Sequence, residues 1–177
     1  MDYSVQCVES GKAQGEYRFS LVHPGKRMLF VIGLNPSTAD ESHPDRTMLK
    51  VMKFAENGGY DGFAMFNLSA ERSTNKYRMS ETLNESRHRE NLSAITKTAE
   101  LYPDADILVA FGNGIMVRPY LKRCFKEIYE VLKDNGGRWK KIGALTVKGN
   151  PRHPLYASLS LGLNDFDVAG YIAKLHL

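Results

Sequence analysis

The sequence predicts an α/β fold: a three-layer α/β/α domain with a central, mostly parallel four-stranded sheet, plus an N-terminal edge strand or hairpin. Three observations predict it. Four continuous apolar runs begin at Met28, Phe63, Ile107 and Ile142, and unbroken runs of this kind belong to strands buried on both faces. Segments with helical spacing lie between them. The connections are short, and parallel strands joined this way need helices that cross over the sheet.

Each element follows in order. Residues 14–24, QGEYRFSLVHP, read as an edge strand or half of a hairpin. Residues 27–33 form the first core strand. Residues 45–59 form a helix: Asp45 is placed to cap it, Met48, Val51, Met52 and Ala55 make its apolar stripe, and Gly58-Gly59 stops it. Residues 61–69 are the second core strand. A helix over 80–100 turns Leu83, Leu92, Ile95 and Ala99 inward. Residues 105–112 are the third strand, and a helix follows over 115–133. Residues 141–147 are the fourth strand. Residues 165–177 close the chain as a helix capped by Asp165. With 177 residues, no repeat and no linker segment, residues 1–177 are expected to be a single domain.

Composition narrows the class. The 42% hydrophobic content is ordinary for a globular protein. No apolar run is long enough to cross a membrane, and the first nineteen residues lack a secretory apolar region. Cys7 and Cys124 form no CxxC and are expected as thiols in a reducing, cytoplasmic setting. The charge is +4, from 24 basic and 20 acidic residues, which permits nucleic-acid binding without requiring it. The basic residues fall in local groups at 75–78, 87–89, 117–123 and 138–141 rather than in a tail.

The four strand ends carry the functional signal. They run into GLNPSTAD, FNLSAERST, FGNG and KGNPRHPLYAS. In a parallel sheet all four ends lie on one edge, where ligands bind. Residues 33–40, 67–74, 112–114 and 149–156 are therefore expected to line one cleft. There is no GxxxxGK[ST] phosphate loop, and GNG is too short for a dinucleotide fingerprint. The five histidines are scattered without ligand spacing, so no metal is expected. No GxSxG is present. A pocket of neutral amides, one histidine and one arginine suits a planar polar ligand such as a nucleobase.

These residues carry two resemblances. GLNPS (33–37) resembles the first motif of the uracil-DNA glycosylase superfamily, and HPLY (153–156) is similar to its closing motif. FNLSAERST (66–74) and ILVAFGNGI (107–115) stand where that superfamily has strands ending in a base-reading Asn and in Gly. More of the chain resembles the domain of unknown function 1643 family of bacteria and phages. That resemblance runs through LNPSTAD, an NL-x-x-x-R stretch and PRHPLY, and brings no established activity.

The glycosylase resemblance implies roles. Gly33, Leu34, Asn35 and Pro36 form its first motif, with Asn35 orienting water at the anomeric carbon. An amide is not basic, so it can orient that water but not deprotonate it. Asn67 reads a base edge, and Phe66 offers a stacking face. Ser37, Thr38 and Arg72 meet a phosphate. Gly112 and Asn113 close the third strand end. His153, with Arg152 and Tyr156 beside it, holds the base and stabilises the leaving anion. Arg152 is expected to keep that imidazole neutral.

The expected function is therefore a nucleobase-recognising hydrolase, a DNA or nucleoside N-glycosylase acting on a modified base. The alternative is a non-catalytic nucleotide or nucleic-acid binding protein, a sensor or accessory factor, on the same fold. The expected partner is a nucleic acid or nucleotide, with no membrane and no cofactor. An acid–base enzyme using Asp40 or Glu71 is a third possibility.

Overall fold

The apolar runs form the middle of one sheet. Met28–Gly33 and Gly62–Asn67 are buried along their whole length. The computed structural model describes residues 1–10 and 16–175, and its strands are β1 (Gln6–Ser10), β2 (Tyr17–His23), β3 (Met28–Gly33), β4 (Gly62–Asn67), β5 (Asp106–Val109), β6 (Trp139–Ile142) and β7 (Leu163–Asp165). They stand in the order β1-β2-β4-β3-β5-β6-β7. The pairings β3–β4, β3–β5 and β5–β6 are parallel. The pairings β1–β2, β2–β4 and β6–β7 are antiparallel.

The expectation of a four-stranded, mostly parallel sheet therefore needs correction. The fold is α/β, but the sheet has seven strands and half of its six pairings are antiparallel. The extra strands are short or half-exposed and lack the apolar runs that mark buried strands. Gln6–Ser10 and Leu163–Asp165 are polar edges that pairing, not composition, recruits.

The four helices are α1 (Arg46–Asn57), α2 (Glu85–Leu101), α3 (Tyr120–Leu132) and α4 (Val168–Ala173). The period-two alternation of the buried strands sends side chains to both faces. Phe30, Ile32, Phe66, Ile107 and Val109 meet α2, α3 and α4. Leu29, Val31, Phe63, Met65 and Leu108 meet α1. The sheet is thus covered on both faces by helices. Asp45 caps α1 as expected, its carboxylate accepting the Met48 N–H at 2.8 Å.

Several boundaries differ from the sequence reading. The second helix begins at Glu85, because Asn84 caps it by accepting from Arg87 N–H. Pro119 divides the expected 115–133 helix into a 3₁₀ segment, Gly112–Met116, and α3. The fourth strand ends at Ile142, where Gly143 turns with φ 51°. The closing helix starts after Asp167, which caps it through Gly170 N–H, and not after Asp165. Asp165 instead ends β7, ion-paired across the strands with Lys140. Residues 14, 15, 176 and 177 of the expected elements lie outside the described residues. Among the described residues no helix is long and apolar enough to cross a membrane.

Candidate functional site

A cleft of about 570 Å³ opens at the carboxyl edge of the parallel strands. Leu34, Asn35, Ser37 and Ala39 reach it from beyond β3, Asn67 and Ser73–Tyr77 from β4, Phe111–Gly114 from β5, and Thr146 with Arg152, His153, Leu155 and Tyr156 from β6. All four polar strand ends meet there. Its volume suits one small organic ligand.

Asn67 ends β4 at the cleft floor and is 1% exposed. Neither its side-chain oxygen nor its nitrogen has a hydrogen-bond partner, although both are buried. Buried side-chain amides are nearly always paired, so two orphan atoms on one residue signal an absent partner. The site is built around this amide. Gly33 stands beside it across β3–β4, and a Cβ there would come within 2.8 Å of Asn67 Oδ1 and 2.5 Å of Met65 Cε. Asn91 Nδ2, from α2, donates to the Asn67 carbonyl at 3.0 Å and fixes the backbone from behind.

His153 enters from the opposite loop, between Pro151 and Pro154. Its Nδ1 accepts the Leu155 N–H at 3.2 Å, which leaves the proton of the neutral ring on Nε2. Burial, and secondarily the Lys76 ammonium, lower its pKa from 6.5 to about 4, against a smaller opposing effect of Asp45. The imidazole is neutral as expected, but the expected cause, Arg152, is corrected. Arg152 lines the cleft too, but its guanidinium is held by the Ala144 carbonyl, to which Nε donates at 2.8 Å. Gly112 permits the approach of this loop: its φ is 63°, and a Cβ there would sit 2.9 Å from His153 Cβ.

Asn35 lines the cleft with its donors already used. Its Nδ2 donates to the Ser73 and Pro36 carbonyls, both at 2.8 Å, and ties the loop after β3 to the loop after β4. Its Oδ1 is left to accept. Asn113 Oδ1 accepts from Thr146 Oγ1 at 2.8 Å and Asn150 Nδ2 at 3.0 Å, which ties the third strand end to the fourth. Among the described residues, no group of three or more potential metal ligands occurs.

Five expected residues do not line the cleft. Gly33 and Pro36 are buried behind it, and Thr38 points to solvent. Phe66 is wholly buried on the opposite face, its ring edge-on to Phe30 at 5.4 Å between centroids. The alternation of β4 sends Phe66 away from the Met65 side, so it offers no stacking face; the aromatics at the mouth are Tyr77 and Tyr156, 67% and 85% exposed. Arg72 braces the loop after β3, donating to the Ser37 and Ala39 carbonyls and pairing with Glu9.

The sequence reading missed Arg18, which lines the cleft from β2 while only 3% exposed. A charge between the aromatics Tyr17 and Phe19 at the start of the strand was the available signal. It also missed Asn75–Tyr77, which Arg118 positions from below by donating to the Tyr77 and Met79 carbonyls at 2.8 and 2.7 Å. Cleft cations are Arg18, Lys76 and Arg152, against one carboxylate, Asp45. Some basic groups elsewhere are paired locally: Arg87 with Glu90, Arg123 with Glu85 and Glu127, Arg138 with Asp106, Lys140 with Asp165. Both cysteines are free, and burial pushes the Cys124 thiol up to about 12.

The model of the family described as "Protein of unknown function (DUF1643)" matches residues 18–155, and the chain belongs to that family. The matched range spans every strand end that reaches the cleft. Neither the curated proteins nor the solved structures yield a match to the chain. These comparisons give no support to the resemblance to uracil-DNA glycosylases.

Proposed function

We propose that the cleft recognises a nucleobase. The observation that carries this reading is Asn67, a buried amide with donor and acceptor both unpaired at the cleft floor. A nucleobase edge offers a complementary donor and acceptor side by side, which one amide satisfies in a single plane. The neutral His153 adds a second donor, Nε2–H, for a base carbonyl. Tyr77 and Tyr156 supply exposed ring faces at the mouth.

Isothermal titration with the common bases, nucleosides and 5′-monophosphates tests it. At least one is expected to bind, and Asn67→Ala is expected to weaken that ligand by about 1–3 kcal/mol, the cost of an unmet buried partner. No binding by any of them at millimolar concentration overturns the reading.

A second reading, N-glycosidic hydrolysis, is favoured by His153. A donor held neutral at pH 7 and aimed at the base strengthens its bond as negative charge develops on the leaving group. Water would add to the anomeric carbon as the C–N bond breaks and release one proton to solvent, while the base would leave with the bonding electrons and take up a proton from solvent. Asn35 Oδ1 is the acceptor available to orient that water, and Asp45 already holds the Met48 N–H. Chromatographic assay for free base decides between turnover and binding alone. With turnover, His153→Ala should lower the rate by about 10²–10³.

A further inference from the structure

We propose that Arg18 forms a phosphate subsite, so that the cleft's ligand is a free nucleotide and not a neutral base or nucleoside. This rests on the nucleobase reading and deepens it. Arg18 is 3% exposed and lines the same cleft as Asn67. Its Nη1 donates to the Ala39 carbonyl at 2.7 Å, while its Nε is buried without a partner. Among the described residues it has no ion-pair partner. An arginine stays charged at any ordinary pH, and a buried cation without a counter-ion is costly.

Its neighbours do not supply the missing charge. Tyr3 is held protonated, its pKa pushed up to about 12 by burial, and its hydroxyl donates to the Asp40 carbonyl. Burial likewise raises the Cys7 thiol above its ordinary value. Asp45 is turned to the α1 N-terminus and makes no ion pair with Arg18, so its carboxylate favours the guanidinium only at a distance. Arg72 adds a second guanidinium on the same Ala39 carbonyl, but Glu9 already balances it. Of the cleft's three cations Arg18 is the buried one, and among the described residues no ion pair balances it. An oxyanion entering the cleft would meet its free N–H groups, and guanidinium–phosphate geometry is strong and directional.

A terminal phosphate fits better than a nucleic-acid backbone. Arg18 is enclosed, so the anion must come to it, and a diester must continue on both sides.

The test uses the full chain, with inorganic phosphate, the common nucleosides, their 5′-monophosphates and a short single-stranded oligonucleotide as probes. The best monophosphate is expected to bind at least about tenfold more tightly than its nucleoside, as a charge-assisted pair implies. Arg18→Met should reduce that ratio to near one while leaving nucleoside affinity unchanged. Inorganic phosphate should raise the melting temperature of the wild type but not of Arg18→Met. Equal affinity for nucleoside and monophosphate, or a ratio that survives Arg18→Met, overturns the subsite and leaves the nucleobase reading standing. Phosphate stabilisation without any nucleoside binding leaves the subsite and removes the base. Preference for the oligonucleotide over every monophosphate overturns the choice of a free nucleotide. If Arg18→Met does not fold, titration of wild type with inorganic phosphate, followed at arginine Nε–H resonances, reads the same contact: one buried Nε–H must shift, and no shift refutes it.

Discussion

Replacing His153 by glutamine should flatten the acid side of the stability curve. The unfolded chain protonates this histidine near 6.5, whereas in the fold burial and Lys76 hold it at about 4. Between these values the unfolded state binds more protons, so stability rises with pH there and is lost as pH falls. The contribution is fully present above about pH 6.5. At about 1.4 kcal/mol for each tenfold change in proton affinity, the gap between 6.5 and about 4 is worth about 3 kcal/mol once both states are protonated. Between pH 7 and pH 5, still short of the folded value, the loss is about 2 kcal/mol. Urea unfolding followed by circular dichroism at both pH values measures it. Other groups titrating in this window are common to both proteins, so the difference in slope isolates His153. Wild type should lose about 2 kcal/mol more than His153→Gln over this interval. Identical losses would mean that the imidazole is solvated or already charged in the fold, and its role as a neutral donor would fall with it.

Gly33→Ala should cost about 1–3 kcal/mol by overpacking, since its methyl would meet Met65 Cε and Asn67 Oδ1. It should also weaken nucleobase binding; an unchanged melting temperature and affinity would show that Asn67 is not wedged as described. Phe66→Ala should destabilise by about 3–5 kcal/mol, yet leave ligand affinity intact in the folded fraction, because the ring faces α2 and α3. A selective loss of affinity would return Phe66 to the site. Any binding of single-stranded oligonucleotide should be shallow in salt, with a log–log slope near −2 from about three cleft cations. A slope of −5 or steeper would mean that basic residues outside the cleft carry the binding.

The parts of the fold legible in sequence were those in which local pattern and burial agree. Met28–Gly33 and Gly62–Asn67 are apolar because both faces are covered, and α1 shows its cap, stripe and stop in order. The polar loops betrayed the cleft because parallel strands bring their carboxyl ends to one edge. β7 and the late start of α4 were hidden: Asp165 and Asp167 are both good caps, and only the Lys140 pairing across β6–β7 assigns Asp165 to a strand.

The sequence by itself determined the α/β class, the core strands and the edge where the polar strand ends gather, since these follow from periodicity and strand direction. Tertiary structure alone decided which residues face the cleft. Asn35 spends its donors on two loop carbonyls, Phe66 turns into the core and Arg72 becomes a brace. Arg18, from a strand that precedes every motif, arrives as a buried cation beside them. The physical reason is that burial and hydrogen-bond satisfaction are properties of neighbours distant in the chain. A motif names an amide or a guanidinium, but only the packed fold determines whether its partners are already met.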